Sequence, residues 1–170
     1  MSLGNAESVP KPIEVGQEMA ALERFYRDSR WEGWIHEGGM GPGTPKMKGI
    51  GRATSTPIQD GRWWVGDFEQ DQFLLDGTFV LKWQLHWVSG WAPTYGEYRA
   101  SMADNYGNAD VYRGYIEQDR LLVFESMPAA PVRLRFTWDA SKVDVTIWRN
   151  EMVRDDGSWF LIEEYSMLPL

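Results

Sequence analysis

The sequence has no cysteine and only two histidines, His36 and His86, set far apart along the chain. Without thiols there are no disulfides, no cysteine nucleophile, no zinc ribbon and no iron–sulfur cluster. With no second histidine at ligand spacing, neither a zinc nor a haem centre is expected, so the expected metal and cofactor content is none. Basic residues are in the minority: 17 Lys and Arg stand against 25 Asp and Glu, a net charge of −8. They form no cluster, so the phosphate neutralisation that drives nucleic-acid binding is missing and nucleic acid is excluded as an expected partner. No apolar run approaches the roughly 18 residues of a membrane helix, and the N-terminus lacks the charged-then-apolar order of a signal peptide. A soluble, unexported, cytoplasmic protein with no membrane partner is therefore expected. A Gly-x-Ser-x-Gly elbow is also absent, which leaves serine hydrolase chemistry unsupported. The run Gly41-Pro42-Gly43-Thr44-Pro45 lacks the Gly-Lys-Ser/Thr ending of a phosphate loop, and no helical pattern follows it. It reads as a connection, placed to act as a lid at the mouth of a fold.

What the chain has in excess is aromatic surface: 10 Trp, 7 Tyr and 7 Phe in 170 residues, a length that suits one domain. Residues 1–13, rich in proline toward their end, read as a mobile lead-in whose first three residues resemble a tag remnant. Over 14–27, Val15, Met19, Leu22 and Phe25 or Tyr26 recur at helical spacing and predict one amphipathic helix. Thereafter the chain alternates short Trp-, Tyr-, Val-, Ile- and Thr-rich stretches with turn chemistry. Asp60-Gly61, Asp76-Gly77, Tyr106-Gly107-Asn108 and Asp155-Asp156-Gly157 are the strongest marks, and 118–120 and 140–142 are weaker ones. They delimit about ten strands, over 31–37, 47–57, 62–72, 79–88, 94–104, 110–117, 121–126, 132–139, 143–153 and 158–167.

Short connections make consecutive strands antiparallel. Ten strands in an open sheet would expose two long edges, and closure removes them. The expected fold is thus all-β, a single antiparallel up-and-down β-barrel of eight to ten strands with one N-terminal α-helix covering an end. A barrel of this size is filled by side chains or holds one small ligand.

Side-chain alternation assigns the faces. Phe79, Leu81, Trp83, Leu85 and Trp87 share one face of the fourth strand, opposite Val80, Lys82, Gln84 and His86. Val132, Leu134, Phe136 and Trp138 alternate with Arg133, Arg135, Thr137 and Asp139 in the eighth. The apolar set is expected to point inward. Two other faces are mixed, Val145-Ile147-Arg149-Glu151 and Val111-Arg113-Tyr115-Glu117, and suggest a lumen carrying a few polar groups.

The order of several motifs carries a resemblance. Trp31-Glu32-Gly33 follows a helix; Gly61-Arg62 opens a strand that runs into Asp67-Phe68-Glu69; Asp104-Asn105-Tyr106-Gly107 and Asp156-Gly157-Ser158-Trp159 come later. Over about 14–165 the chain resembles the bacterial domain-of-unknown-function family 1579. The resemblance implies a lipocalin-like, calycin-type barrel and no particular reaction. One departure falls between the middle strands, where Gly-x-x-Gly-Tyr-Asp is replaced by Trp87-Val88-Ser89-Gly90-Trp91-Ala92-Pro93, with Tyr98 taken as the match to the motif's tyrosine.

Residue type and strand position nominate Arg52, Trp64, Trp87, Tyr98, Glu117 and Arg149 for the lumen, with His86 as a candidate base or polar contact on the same grounds. For His86 an outer-face position beside Lys82 and Gln84 is the competing reading. Glu69 and Glu117 have aromatic neighbours, but an ion pair with Arg52, Arg99 or Arg149 is the commoner fate of a buried carboxylate. Glu163 and Glu164 point to opposite faces. Most tryptophans are core, leaving a few for a ligand wall or a homodimer contact. Three functions stay open: binding of a small hydrophobic or amphiphilic molecule, a cofactor-independent isomerase, cyclase or hydratase, and a structural or oligomerisation module with a filled lumen.

Overall fold

The computed structural model of the protein describes residues 14–170, so the expected lead-in over 1–13 lies outside the described residues. One short helix, α1 (Gln17–Leu22), precedes ten strands: β1 (Ser29–Ile35), β2 (Met47–Ile58), β3 (Trp63–Phe73), β4 (Phe79–Ala92), β5 (Glu97–Asp104), β6 (Ala109–Glu117), β7 (Leu121–Ser126), β8 (Leu134–Asp139), β9 (Thr146–Val153) and β10 (Trp159–Pro169). Each strand pairs antiparallel with the next, and β10 pairs back onto β1, closing an up-and-down barrel with no free edge. The connections turn where the sequence marks them, with positive φ at Gln59, Asp60, Gly61, Gly77, Gln118, Asp119, Gly107 and Gly157.

Two expectations are corrected at element ends. The helix occupies six residues rather than fourteen, because Phe25 and Tyr26 leave it to bury their rings in the barrel end, where they are 4% and 5% exposed. Val132 lies before β8 and is exposed, so the inward face of that strand starts at Leu134.

The inward assignment holds for most of β4 and β8: Leu85, Trp87, Phe136 and Trp138 are buried while Val80, Lys82, Gln84 and His86 are exposed, but Phe79 at the irregular start of β4 is exposed and Thr137 on the outward set of β8 is buried. The mixed faces are corrected. Arg149 and Glu151, like Arg113 and Glu117, point outward, and they are mixed because an outer face tolerates both apolar and charged groups. Cross-strand ion pairs decorate that outer surface, among them Arg52–Glu69 at 3.3 Å, Arg135–Glu151 at 2.8 Å and Arg149–Glu164 at 2.6 Å.

Inside, aromatic rings fill the half of the barrel beneath α1. The Trp87 ring sits 5.2 to 5.8 Å from those of Tyr112, Phe124, Phe136 and Trp138. Trp148 stacks between Phe136 and Tyr165 with interplanar angles of 17° and 19°. The plug is pinned by one hydroxyl. Trp87 Nε1 donates to Tyr26 Oη at 3.2 Å and Ser89 Oγ donates to it at 2.8 Å, all three residues being buried. Burial pushes the Tyr26 phenol up to about 12, so it stays neutral at every working pH. Tyr98 Oη donates to the Glu18 carbonyl at 2.8 Å and ties α1 down from the other side. Replacing Tyr26 by Phe strands a buried indole N–H and a buried hydroxyl; a loss of about 1–3 kcal/mol in urea unfolding is expected, against about 0.5 kcal/mol or less for Tyr95→Phe at an exposed site.

Candidate functional site

The end of the barrel opposite α1 is open. The connection over 36–46, the turn over 105–108 and the loop over 127–133 surround a cavity of about 620 Å³, inside the size range of ligand pockets. Its apolar wall includes Trp83, Met102, Leu134, Phe136 and Met152. Its polar groups are Gln72, Asn150 and Glu163 with Asp104, Asp110 and Tyr112, and among the described residues no Lys, Arg or His lines it. Deeper in the lumen the rings of Trp31, Trp87, Trp138 and Trp148 leave a space of only about 20 Å³, too small for an organic ligand. The expected hollow interior is therefore confined to the mouth. Gly39 and Met40 of the glycine-rich connection reach the cavity wall, which puts that segment at the mouth as expected of it.

Glu163 lies beside a β-bulge. Leu161 faces Glu151 and Glu163 faces Asn150, so Ile162 is the extra residue on β10. From Glu163 onward the strand keeps the inward alternation of Tyr165 and Met167, opposite Ile35, Gly33 and Trp31 of β1. The bulge breaks that alternation toward the start of the strand, and Ile162 and Glu163 are both buried, 7% and 6% exposed. The Ile162 carbonyl accepts from the His36 N–H at 2.7 Å, which holds the bulge in place.

The Glu163 carboxyl accepts from Tyr165 Oη at 2.5 Å and from Asn150 Nδ2 at 3.1 Å. Burial raises its pKa above the ordinary carboxylate value, and these donors offset the rise only in part. Gln70 leans on the same pair, favouring the ionised forms without a hydrogen bond of good geometry from its amide nitrogen. Burial, then the neighbouring carboxyl, drives the Tyr165 phenol well above its usual value. The Tyr165 ring fits because Gly33 and Gly49 stand across from it; a Cβ at Gly49 would lie 2.7 Å from the ring. Gln72 pairs with Gly49, so the two glycines leave a trough between Gln72 and the β10 side chains. Gln72 Oε1 and Asn150 Oδ1 have no hydrogen-bond partner among the described residues. At the rim, Asp104 accepts from Trp83 Nε1 at 3.2 Å and from Asn108 Nδ2 at 2.8 Å. Burial works to raise its pKa, but the donors of Asn108, Trp83 and Tyr106 together outweigh it and leave the carboxyl below its usual value, charged at neutral pH.

Of the seven nominated residues, Trp64, Trp87 and Tyr98 point inward, all in the plug or beneath α1 rather than at the mouth. Arg52, His86, Glu117 and Arg149 are corrected to the outer face by strand parity. Arg52 pairs with Glu69, His86 Nδ1 lies 2.7 Å from Asp67, and Arg149 pairs with Glu164. Alternation with Phe68 could have found Gln70 and Gln72, and alternation with Trp148 could have found Asn150. Nothing in the sequence announces the bulge at Ile162, but alternation with Tyr165 and Met167 could have found Glu163. The described residues contain no cluster of three or more His, Asp or Glu fit for a metal, and no helix long and apolar enough to cross a membrane. Neither a scan against protein-family models nor a search of curated proteins gives a match for this chain.

The raised Glu163 pKa has a definite sign in stability. Neutral when folded, the carboxyl contributes fully below its unfolded value of about 4.5, and that contribution is lost as pH rises toward its folded value. The depressed Asp104 and Asp139 act in the opposite direction at low pH. The difference in melting temperature, Glu163→Gln minus wild type, is therefore expected to grow as pH increases above about 4.5. A pH-independent difference in thermal melts would contradict the buried, neutral assignment.

Proposed function

We propose that the protein binds a small hydrophobic or amphiphilic molecule in the mouth cavity. The observation that carries the reading is the combination of an apolar wall with two unpartnered amide oxygens and a buried carboxyl in one open cavity of about 620 Å³. Placed polar groups on an aromatic and aliphatic wall are what orient a small molecule, and leaving buried acceptors unpaired costs stability that a ligand's donors would recover. The filled half-lumen beneath α1 limits the occupant to the mouth, so its depth is set by Trp83 and Phe136. Membership of family 1579 belongs to the same proposal: the closed ten-stranded meander agrees with the architecture that the resemblance implies, and the resemblance adds no ligand. A second reading, a cofactor-independent enzyme, is favoured by the Glu163–Tyr165 contact at the cavity wall, since a carboxyl kept neutral by burial is suited to donate a proton.

Calorimetric titration with a panel of small amphiphiles tests the first reading. Binding to wild type is expected, and Met152→Trp, which fills the mouth, is expected to abolish it while the melting temperature holds. Absence of binding across the panel, or binding indifferent to Met152→Trp, would overturn it.

A further inference from the structure

The charge and hydrogen-bond inventory of the cavity narrows its occupant, an inference that rests on the binding reading above. Every ionisable side chain lining the mouth is acidic or phenolic: Asp104 on β5, Asp110 and Tyr112 on β6, and Glu163 on β10. An anionic headgroup would meet three carboxyls and no cation to receive it, and like-charge juxtaposition of that kind is strongly unfavourable. Of the uncharged groups on the wall, Gln72 Oε1, Asn150 Oδ1 and the Tyr112 hydroxyl have no partner among the described residues; the two amide oxygens only accept, the hydroxyl can accept as well as donate, and Gln72 is 2% exposed. Acceptors without donors ask for a ligand that brings N–H or O–H groups.

Glu163 makes the same request in a stronger form. A buried carboxyl is ordinarily matched by a cation, yet no Lys or Arg contributes to its titration. The groups facing it are Tyr165 on its own strand, the amides of Gln70 and Gln72 on β3, and Asn150 on β9; across the mouth stand Asp104 and Asp110. β1 adds no ionisable group here, presenting Gly33 and Ile35. An incoming ammonium would supply the missing counter-charge, and its three N–H donors match the carboxyl and the two free amide oxygens in number.

We propose that the mouth cavity is the site of a protonated amine carried on an apolar body, with the ammonium group held by Glu163, Gln72 Oε1 and Asn150 Oδ1, the rim carboxylates Asp104 and Asp110 attracting it, and the hydrocarbon lying against Trp83, Phe136 and Met102. Binding then draws the proton off Glu163, so affinity for the ammonium rises as pH increases through the carboxyl's folded value.

Titration of the full chain with n-octylammonium, 1-octanol and octanoate separates the possibilities. Octylammonium is expected to bind about tenfold or more tighter than octanol, with octanoate weakest, and its affinity is expected to increase as pH rises above the ordinary carboxylate range. Gln72→Leu and Glu163→Gln should each remove most of the preference for octylammonium over octanol. Should either variant fail to fold, the three-probe comparison on wild type decides alone. Equal binding of all three, or a preference for octanoate, would overturn the ammonium assignment and leave the binding reading standing. No binding of any probe would overturn both.

Discussion

Everything about the interior depends on one buried hydroxyl. Tyr26 Oη takes hydrogen bonds from Trp87 Nε1 and Ser89 Oγ at the point where the chain passes from α1 into the first strand. This single atom lets an indole and a serine stay buried without an orphaned polar group, and it locks the helical segment against one end of the barrel. Around Trp87 the rings of Tyr112, Phe124, Phe136 and Trp138 close in at edge and tilted angles, the arrangement that aromatic quadrupoles favour. Because that end is packed solid, any usable volume is pushed to the other one. The plug thereby makes a cavity with one entrance.

The second constraint is register. A closed meander leaves no strand free to slide, so an extra residue in one strand must be absorbed as a bulge. At Ile162 this breaks the alternation just before Glu163, which follows the inward parity of Tyr165 and Met167 and is set against Tyr165 and Asn150. Tyr165 in turn reaches its position over Gly33 and Gly49, whose missing side chains make room for its ring. A carboxyl with two hydrogen-bond donors and no cation is an expensive thing to bury. Here that cost sits where solvent and small molecules can arrive, at the wall of the mouth.

The fold was largely legible in the sequence because its signals are local. Turn residues such as Asp60-Gly61 and Asp76-Gly77 place strand ends within a few residues, and the alternation along 80–87 sorts inside from outside, while Phe79 at the strand start is exposed. The six-residue helix was overestimated because Phe25 and Tyr26 continue the helical period while serving the barrel end instead. The site was scarcely legible. Arg52, Glu117, Arg149 and His86 were nominated by chemistry, and parity puts all four on the outer surface, where three of them meet a partner of opposite charge or a carboxylate. Gln72 and Asn150 were readable from alternation but carry no conspicuous chemistry. Glu163 was readable from alternation with Tyr165 and Met167, but the bulge beside it, a non-local consequence of how β9 and β10 align, is encoded by no short motif.

The central claim is that the barrel is solid beneath α1 and holds a ligand-sized space only at the opposite end, where the Glu163 group awaits a cation. Crystals grown with 6-bromohexylammonium test it most directly, through the anomalous signal of the bromine together with the position of the nitrogen. The account predicts a bromine site against Trp83 and Phe136 with the ammonium within hydrogen-bonding distance of Glu163. Bromine found among Tyr26, Trp64 and Trp138, or a ligand in the mouth with its nitrogen turned to solvent and away from Glu163, would contradict it.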